Sequence, residues 1–172
     1  MEPEQNMTGE EKKQHWLLSL LFDNRISMRR YVLRTGLISL VPSVFIVIIL
    51  GVFGIINEEM GPDFKGSALS LLIGIVILGP LIETLLMGVL FCVLSFITKR
   101  KVRLAMMSAV VWAGLHSIAS PAWGLGVLWP FFVFSCSYLA WRQRAWWRAV
   151  LVTSCVHAFQ NILPAIAIIS TQ

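Results

Sequence analysis

Long apolar segments dominate this sequence and leave it few ways to fold. They cover roughly residues 32–56, 67–98, 103–120, 123–141 and 145–169. The hydrocarbon core of a bilayer is about 30 Å thick, and a helix of about 20 apolar residues crosses it. Only 13% of the residues are charged, whereas soluble domains carry about 25%. The sequence therefore predicts an all-α, polytopic transmembrane helix bundle with about five spans.

The bundle is predicted to begin after two short N-terminal segments. We expect a polar tail over residues 1–14, an interfacial amphipathic helix over 15–30 and the transmembrane bundle over 31–172. The second apolar run, 67–98, has 32 residues and would be about 48 Å long as a helix. Because a Gly-Pro pair at residues 79–80 interrupts this run, we expect its helix to be kinked or broken there.

Basic residues cluster at alternate ends of the apolar runs, and this predicts the orientation of the bundle. Five alternating spans place all 14 Lys and Arg residues except Lys65 on the cytoplasmic side, as the positive-inside rule requires. The N-terminus is then cytoplasmic and the C-terminus outside. The small size and the lack of an organellar transit signature favour the bacterial inner membrane. Because the basic residues form no single patch, nucleic acid is not an expected partner.

Four polar residues lie inside the predicted spans, namely Glu83, His116, His157 and Asn161. Ionisable groups are costly in a membrane and are by default functional candidates. Glu83 is the only carboxylate side chain among the 109 residues after Asp63. Each of the four lies about 18–24 Å from the cytoplasmic end of its segment, at 1.5 Å per residue. A single buried histidine or asparagine often only bonds a neighbouring helix, but four polar groups at one depth predict a single site.

Three short motifs resemble those of the CPBP intramembrane proteases, a family that includes the CAAX prenyl endopeptidases. Pro80-Leu-Ile-Glu83-Thr84 resembles the family's proline–glutamate motif, Trp112-Ala-Gly-Leu-His116 its aromatic–histidine motif, and His157-Ala-Phe-Gln-Asn161 its H-x-x-x-N motif. The motifs occur in the family's order, within about residues 67–165. The resemblance implies a glutamic-type intramembrane endopeptidase whose substrate is a membrane-anchored protein or peptide or a C-terminal signal, with Thr84 and Trp112 as supporting residues.

Peptide hydrolysis needs an activated water and a stabilised oxyanion. We expect Glu83 to take a proton from a water that His116 binds, and His157 and Asn161 to donate hydrogen bonds to the oxyanion; the resemblance implies the same division. This mechanism needs no cofactor. The alternative is a zinc ion bound by Glu83, His116 and His157 with an open fourth position, although the H-E-x-x-H spacing is missing.

The sequence also departs from the family's motifs. Thr84 occupies the place of a second glutamate, and neither Met87 nor Gly88 supplies the arginine that follows it. Two other functions therefore stay open. One is a non-catalytic immunity or regulatory membrane protein. The other is a small proton-coupled transporter with Glu83 and the histidines as a relay, although no internal repeat is visible.

Overall fold

A computed structural model describes residues 9–55 and 65–170, and every regular element in these two ranges is a helix. The α-helices are α1 (Gly9–Phe22), α2 (Met28–Val52), α3 (Ala68–Leu72), α4 (Gly79–Leu94), α5 (Lys101–Ala119), α6 (Pro121–Trp141) and α7 (Trp146–Ser170). A π-helical turn, Ile73–Leu78, joins α3 to α4. The predicted all-α class is therefore confirmed for the described residues.

Four helices are long and apolar enough to cross a bilayer. They are Met28–Val52, Ala68–Leu94, Ala122–Trp141 and Trp146–Ser170. These helices indicate an integral membrane protein, as the sequence predicts. Helix α5 is the remaining predicted span; it carries Lys101 and Arg103 in its first turn and is not among the four. The count of five spans stays a prediction, and so does a kink at residues 79–80, where the π-helical turn meets α4.

Helix α6 is the centre of the bundle. Helices α1, α2, α5 and α7 all pack against it. A helix that is apolar on all sides is normally buried. Helix α6 contains no charged residue, and its polar groups are small hydroxyl groups and indole N–H groups. One of them, Ser135, donates a hydrogen bond to Ser108 of α5 over 2.9 Å. Large aromatic side chains on α6 are fully or almost fully buried: Phe131, Phe134, Tyr138 and Trp141.

Helix α2 packs against α7 through a stripe of small side chains. Thr35, Gly36, Ser39 and Ser43 are its buried small residues, and their spacing places them on one face. Small residues allow two membrane helices to approach closely. Gly36 lies directly against α7, because an added Cβ atom there would lie 2.7 Å from the Phe159 ring.

The N-terminal helix ends earlier than the sequence predicts. The prediction of one helix over residues 15–30 is wrong, because α1 stops at Phe22 and α2 starts only at Met28. The Asp23 carboxylate accepts hydrogen bonds from the backbone N–H of Arg25 at 3.2 Å and from its Nε at 3.0 Å. A local bond of this kind favours a turn over a continuing helix. The side-chain hydrogen bond from Arg25 is also the main reason that the pKa of Asp23 is lowered.

Helix α1 is attached to the bundle by hydrogen bonds to backbone carbonyls. Tyr31 donates to Leu21, and Arg34 donates to Leu20. The Asn24 amide donates to the carbonyl of Ala140 in α6 over 2.7 Å. The end of α1 therefore has a fixed place against α2 and α6, whereas its location at the membrane surface stays a prediction.

Substitution of Gly36 tests the packing of α2 on α7. Gly36→Ala would press a methyl group into the Phe159 ring, so we expect the free energy of unfolding to fall by about 1–3 kcal/mol. The control is Gly114→Ala, where an added Cβ meets nothing within 4 Å and alanine favours the helix. Titration with a denaturing detergent measures both. Equal stability of the two variants would contradict the packing described here.

Candidate functional site

A cavity of about 830 Å³ lies among α2, α6, α7 and the helix formed by α3 and α4, and α5 contributes one residue to it. Its lining includes Glu83, His116, His157 and Asn161. The structure thus brings together the four residues that sequence depth and spacing predicted to meet. Most of the other lining residues are apolar, which is typical of sites where a few polar groups orient a ligand.

Glu83 and His157 are the two ionisable residues of the cavity that lie nearest to each other. Oε2 of Glu83 lies 3.7 Å from Nε2 of His157, which is too long for a direct hydrogen bond. This Oε2 atom has no hydrogen-bond partner within the described part of the chain. The Glu83 side chain is 27% exposed, whereas that of His157 is 5% exposed. Glu83 is therefore the more exposed side chain of the two, although its Oε2 atom is itself buried.

The His157 ring is oriented by aromatic packing. It stacks on Phe134 with ring centroids 4.2 Å apart and meets Phe131 edge-on at 5.5 Å. Its Nδ1 atom is buried and has no hydrogen-bond partner among residues 9–55 and 65–170. Packing, not hydrogen bonding, therefore directs Nε2 toward Glu83.

His116 is positioned by its own helix and by the same aromatic wall. Its Nδ1 lies 2.8 Å from the carbonyl oxygen of Trp112, one turn earlier in α5. Because a carbonyl only accepts, Nδ1 carries the proton and Nε2 of the neutral ring is an acceptor. The ring meets Trp123 edge-on at 4.7 Å and Phe131 at 5.1 Å. The indole of Trp112 stacks on Phe131 at 5.0 Å, so Trp112 supports the cavity wall without lining the cavity.

Thr84 does not reach the cavity. It is fully buried, and it is not among the lining residues, because consecutive residues of a helix point in different directions. The position of the missing arginine is also filled by packing against α6. An added Cβ on Gly88 would collide with the Tyr138 hydroxyl, and the Met87 sulfur lies 3.8 Å from the Ser135 hydroxyl oxygen. A supporting role for Thr84 therefore stays a prediction, and it would have to act from outside the cavity lining.

Asn161 has a structural partner that the sequence did not reveal. Its Nδ2 donates to the carbonyl oxygen of Ile75 over 2.9 Å. In π-helical bonding a carbonyl accepts from the N–H five residues later, as Gly74 does from Gly79. For Ile75 that residue is Pro80, which has no N–H. Asn161 therefore supplies the donor that Pro80 lacks, and it connects α7 to the π-helical turn.

The same compensation occurs at the proline in α2. The carbonyl of Ile38 would normally accept from residue 42, but Pro42 has no N–H. Nε1 of Trp129 in α6 donates to this carbonyl over 3.0 Å. In both cases a side chain from a neighbouring helix satisfies a carbonyl that water cannot reach in a bilayer.

Gln160 is a cavity residue that the sequence analysis missed. It is 8% exposed and lines the cavity, and its Oε1 accepts a hydrogen bond from the Ser39 hydroxyl over 2.8 Å. Its spacing of three residues from His157 places both on one face of α7. That spacing was the available signal, but a neutral glutamine is less conspicuous in an apolar run than an ionisable residue.

No group of three or more His, Cys, Asp or Glu side chains within the described ranges is arranged to hold a metal ion. The arrangement of these side chains therefore does not support the alternative zinc site at Glu83, His116 and His157, although Glu83 and His157 lie near each other.

The chain matches no protein-family model, and neither a search of curated proteins nor a search of solved structures finds a match. The resemblance to CPBP proteases rests on the three motifs alone.

A double-mutant cycle tests whether Asn161 compensates for Pro80. Asn161→Ala leaves the Ile75 carbonyl without its donor, so we expect it to lower the free energy of unfolding by about 0.5–2 kcal/mol. In a Pro80→Ala background, a backbone N–H is restored and the same substitution should cost less. The unfolding free energies of the four proteins give the coupling. Equal costs in the two backgrounds would show that Pro80 does not create the need for Asn161.

Proposed function

We propose that this protein is an intramembrane endopeptidase that hydrolyses a peptide bond in a membrane-anchored substrate, with Glu83 as the general base. One observation carries the proposal. Glu83, His116, His157 and Asn161, from three separate helical segments of the chain, line one cavity. The Glu83 side chain is partly exposed, and its buried Oε2 atom lies 3.7 Å from a histidine nitrogen. Hydrolysis requires at least a general base and a neighbouring group that can bind the water.

The proposed reaction uses Glu83 twice. Glu83 takes a proton from water, and the water oxygen attacks the carbonyl carbon of the peptide while the C=O electron pair moves to the oxygen. When the tetrahedral intermediate collapses, this pair re-forms the C=O bond and the C–N bond breaks. Glu83 then gives its proton to the leaving nitrogen. The products are a carboxylic acid and an amine, and the Glu83 carboxylate is restored.

The two histidines receive related tasks in this scheme. His157 is the nearest ionisable group to Glu83, so we assign it to binding the water that Glu83 deprotonates. His116 offers Nε2 as an acceptor, because its Nδ1 donates to Trp112. It can accept the second hydrogen of the same water, as the sequence analysis expected. The neutral His116 ring then has no second N–H with which it could stabilise an oxyanion.

The character of the cavity supports an apolar, membrane-embedded substrate. Aliphatic side chains line it on α2 (Val44, Val47, Ile48) and on the last part of α7 (Leu163, Ala167). The helices around it are long and apolar enough to lie in a bilayer. The similarity of the three motifs to those of CPBP proteases is an independent argument from sequence for the same activity.

We also propose that the protein resides in a bacterial inner membrane with a cytoplasmic N-terminus and an external C-terminus. The support is the distribution of basic residues, all of which except Lys65 fall on one side of five alternating spans.

Substitution of Glu83 tests the proposed activity. The protein is reconstituted in liposomes with a pool of quenched-fluorescent peptides that have apolar cores of about 20 residues. Wild type should release fluorescence, and Glu83→Gln should lower the rate by at least about 100-fold because the amide cannot accept the water proton. The matched control is Asp23→Asn, a carboxylate-to-amide change in the turn before α2, which should cleave like wild type.

Three results would contradict the proposal. Cleavage by folded Glu83→Gln at the wild-type rate would exclude Glu83 as the base. Proton flux into the liposomes that depends on Glu83, without any cleavage, would instead favour a proton-coupled transporter. A cellular phenotype that survives substitution of Glu83, His116 and His157 would favour a non-catalytic role.

A further inference from the structure

We propose that Gln160 binds the substrate's peptide carbonyl, with its Nε2 amide donating to the carbonyl oxygen and to the oxyanion that forms from it. This inference rests on the proposed peptidase function and deepens it, because it assigns the donor for the oxyanion to a residue that the three motifs do not include.

The amide of Gln160 has one occupied end and one available end. Oε1 accepts from the Ser39 hydroxyl at 2.8 Å. Nε2 carries two N–H groups, and none of the side-chain hydrogen bonds in the described part of the chain involves it. The Nε2 atom is also not one of the fully buried side-chain atoms that lack a hydrogen-bond partner. Because the residue lines the cavity, the free N–H groups are available to a ligand.

Asn161 is less suited to this task. Its Nδ2 already donates to the Ile75 carbonyl over 2.9 Å. Turning that amide toward a substrate would expose a carbonyl that Pro80 leaves without a backbone donor. In a bilayer no water would take the place of that donor. The structure thus gives the two adjacent amides different tasks, with Asn161 joining helices and Gln160 facing the cavity.

Ser39 acts as a positioning residue for Gln160. Its side chain is fully buried in the contact between α2 and α7, and its hydroxyl fixes which end of the amide points away from the cavity. The neighbouring contact between Gly36 and the Phe159 ring keeps the two helices close. The amide is therefore held in place before substrate binds, as an effective oxyanion donor requires.

The chemistry of the site points to a neutral carbonyl as its ligand. Gln160 provides N–H donors without a positive charge, and the surrounding wall is largely apolar. A free carboxylate would have to lose its hydration without a cation to replace it. A backbone amide carbonyl needs only a donor, and it lies in the same bond that Glu83 is proposed to hydrolyse. We therefore assign an extended, uncharged peptide segment to this part of the cavity.

Steady-state kinetics on liposome-reconstituted full-length protein, with the quenched-fluorescent peptides described above, test this assignment. Gln160→Met preserves the length of the side chain and removes the donor, so kcat should fall by about 100-fold or more, with little change in KM. Ser39→Ala should lower kcat by about three- to tenfold, because the amide loses the bond that orients it. The matched control is Gln143→Met, a glutamine outside the cavity whose amide donates to Leu139, and it should behave like wild type.

A second measurement keeps the assignment testable without turnover. Acetyl-trileucine N-methylamide, labelled with ¹³C at one carbonyl at a time, is bound in the Glu83→Gln background, and infrared spectroscopy records the labelled C=O stretch. A hydrogen bond from Gln160 should lower this frequency for one carbonyl, and Gln160→Met should restore the higher value. The thermal unfolding midpoint of each variant shows whether it is folded.

The outcomes separate this inference from the proposed function. Wild-type kcat in folded Gln160→Met would overturn the inference and leave the peptidase proposal intact. If wild type cleaves no peptide but the infrared shift depends on Gln160, the peptidase proposal fails and the carbonyl site stands. The absence of a Gln160-dependent shift, with or without cleavage, would overturn the assignment of Gln160.

Discussion

The hydrogen bond from Asn161 to the carbonyl of Ile75 connects the two helices that carry the nearest ionisable pair. Pro80 removes the N–H that π-helical bonding would offer to this carbonyl, and the bilayer offers no water in its place. Asn161 satisfies it over 2.9 Å, so α7 must lie beside the π-helical turn. Glu83 follows Pro80 by three residues and His157 precedes Asn161 by one turn. The same contact therefore brings Glu83 near His157.

The aromatic side chain of Phe131 supports the other half of the site. It is almost fully buried, and its ring contacts His116, His157 and Trp112. Because α6 packs against most of the other helices, the Phe131 ring lies in the interior of the bundle. It contacts both imidazoles, with ring centroids 5.1 Å from His116 and 5.5 Å from His157, and it lines the same cavity as the carboxylate. Aromatic packing thus holds the two histidines in the cavity, and Glu83 and His157 form no direct hydrogen bond with each other.

The sequence predicted the meeting of Glu83, His116, His157 and Asn161 because the rise of a helix is constant. Depth along a span can be counted in residues, and charge marks the cytoplasmic ends. Thr84 follows Glu83 in the sequence but lies outside the cavity lining, because adjacent residues do not share one helix face. The early end of α1 depends on Asp23 bonding Arg25, a local competition that apolar periodicity does not register.

The partners of Asn161 and Gln160 could not be predicted for a different reason. The first depends on a π-helical turn, which changes the partner of each carbonyl by one residue and leaves no signature beyond the nearby Gly-Pro pair. The second depends on which face of α2 meets α7, and only the packed helices fix the contact between Ser39 and Gln160. The motifs therefore predicted His157 and Asn161 as the two donors to the oxyanion, and they did not point to Gln160, which lies between them in the chain.

The most direct test of the central claim, that Glu83 activates water for peptide hydrolysis in the membrane, is mass spectrometry of peptides incubated with reconstituted protein in ¹⁸O-labelled water. The account predicts fragments from wild type that carry one ¹⁸O atom in the newly formed carboxyl group, and no such fragments from Glu83→Gln. Intact peptides after incubation with folded wild type, or labelled fragments formed equally by Glu83→Gln, would contradict it.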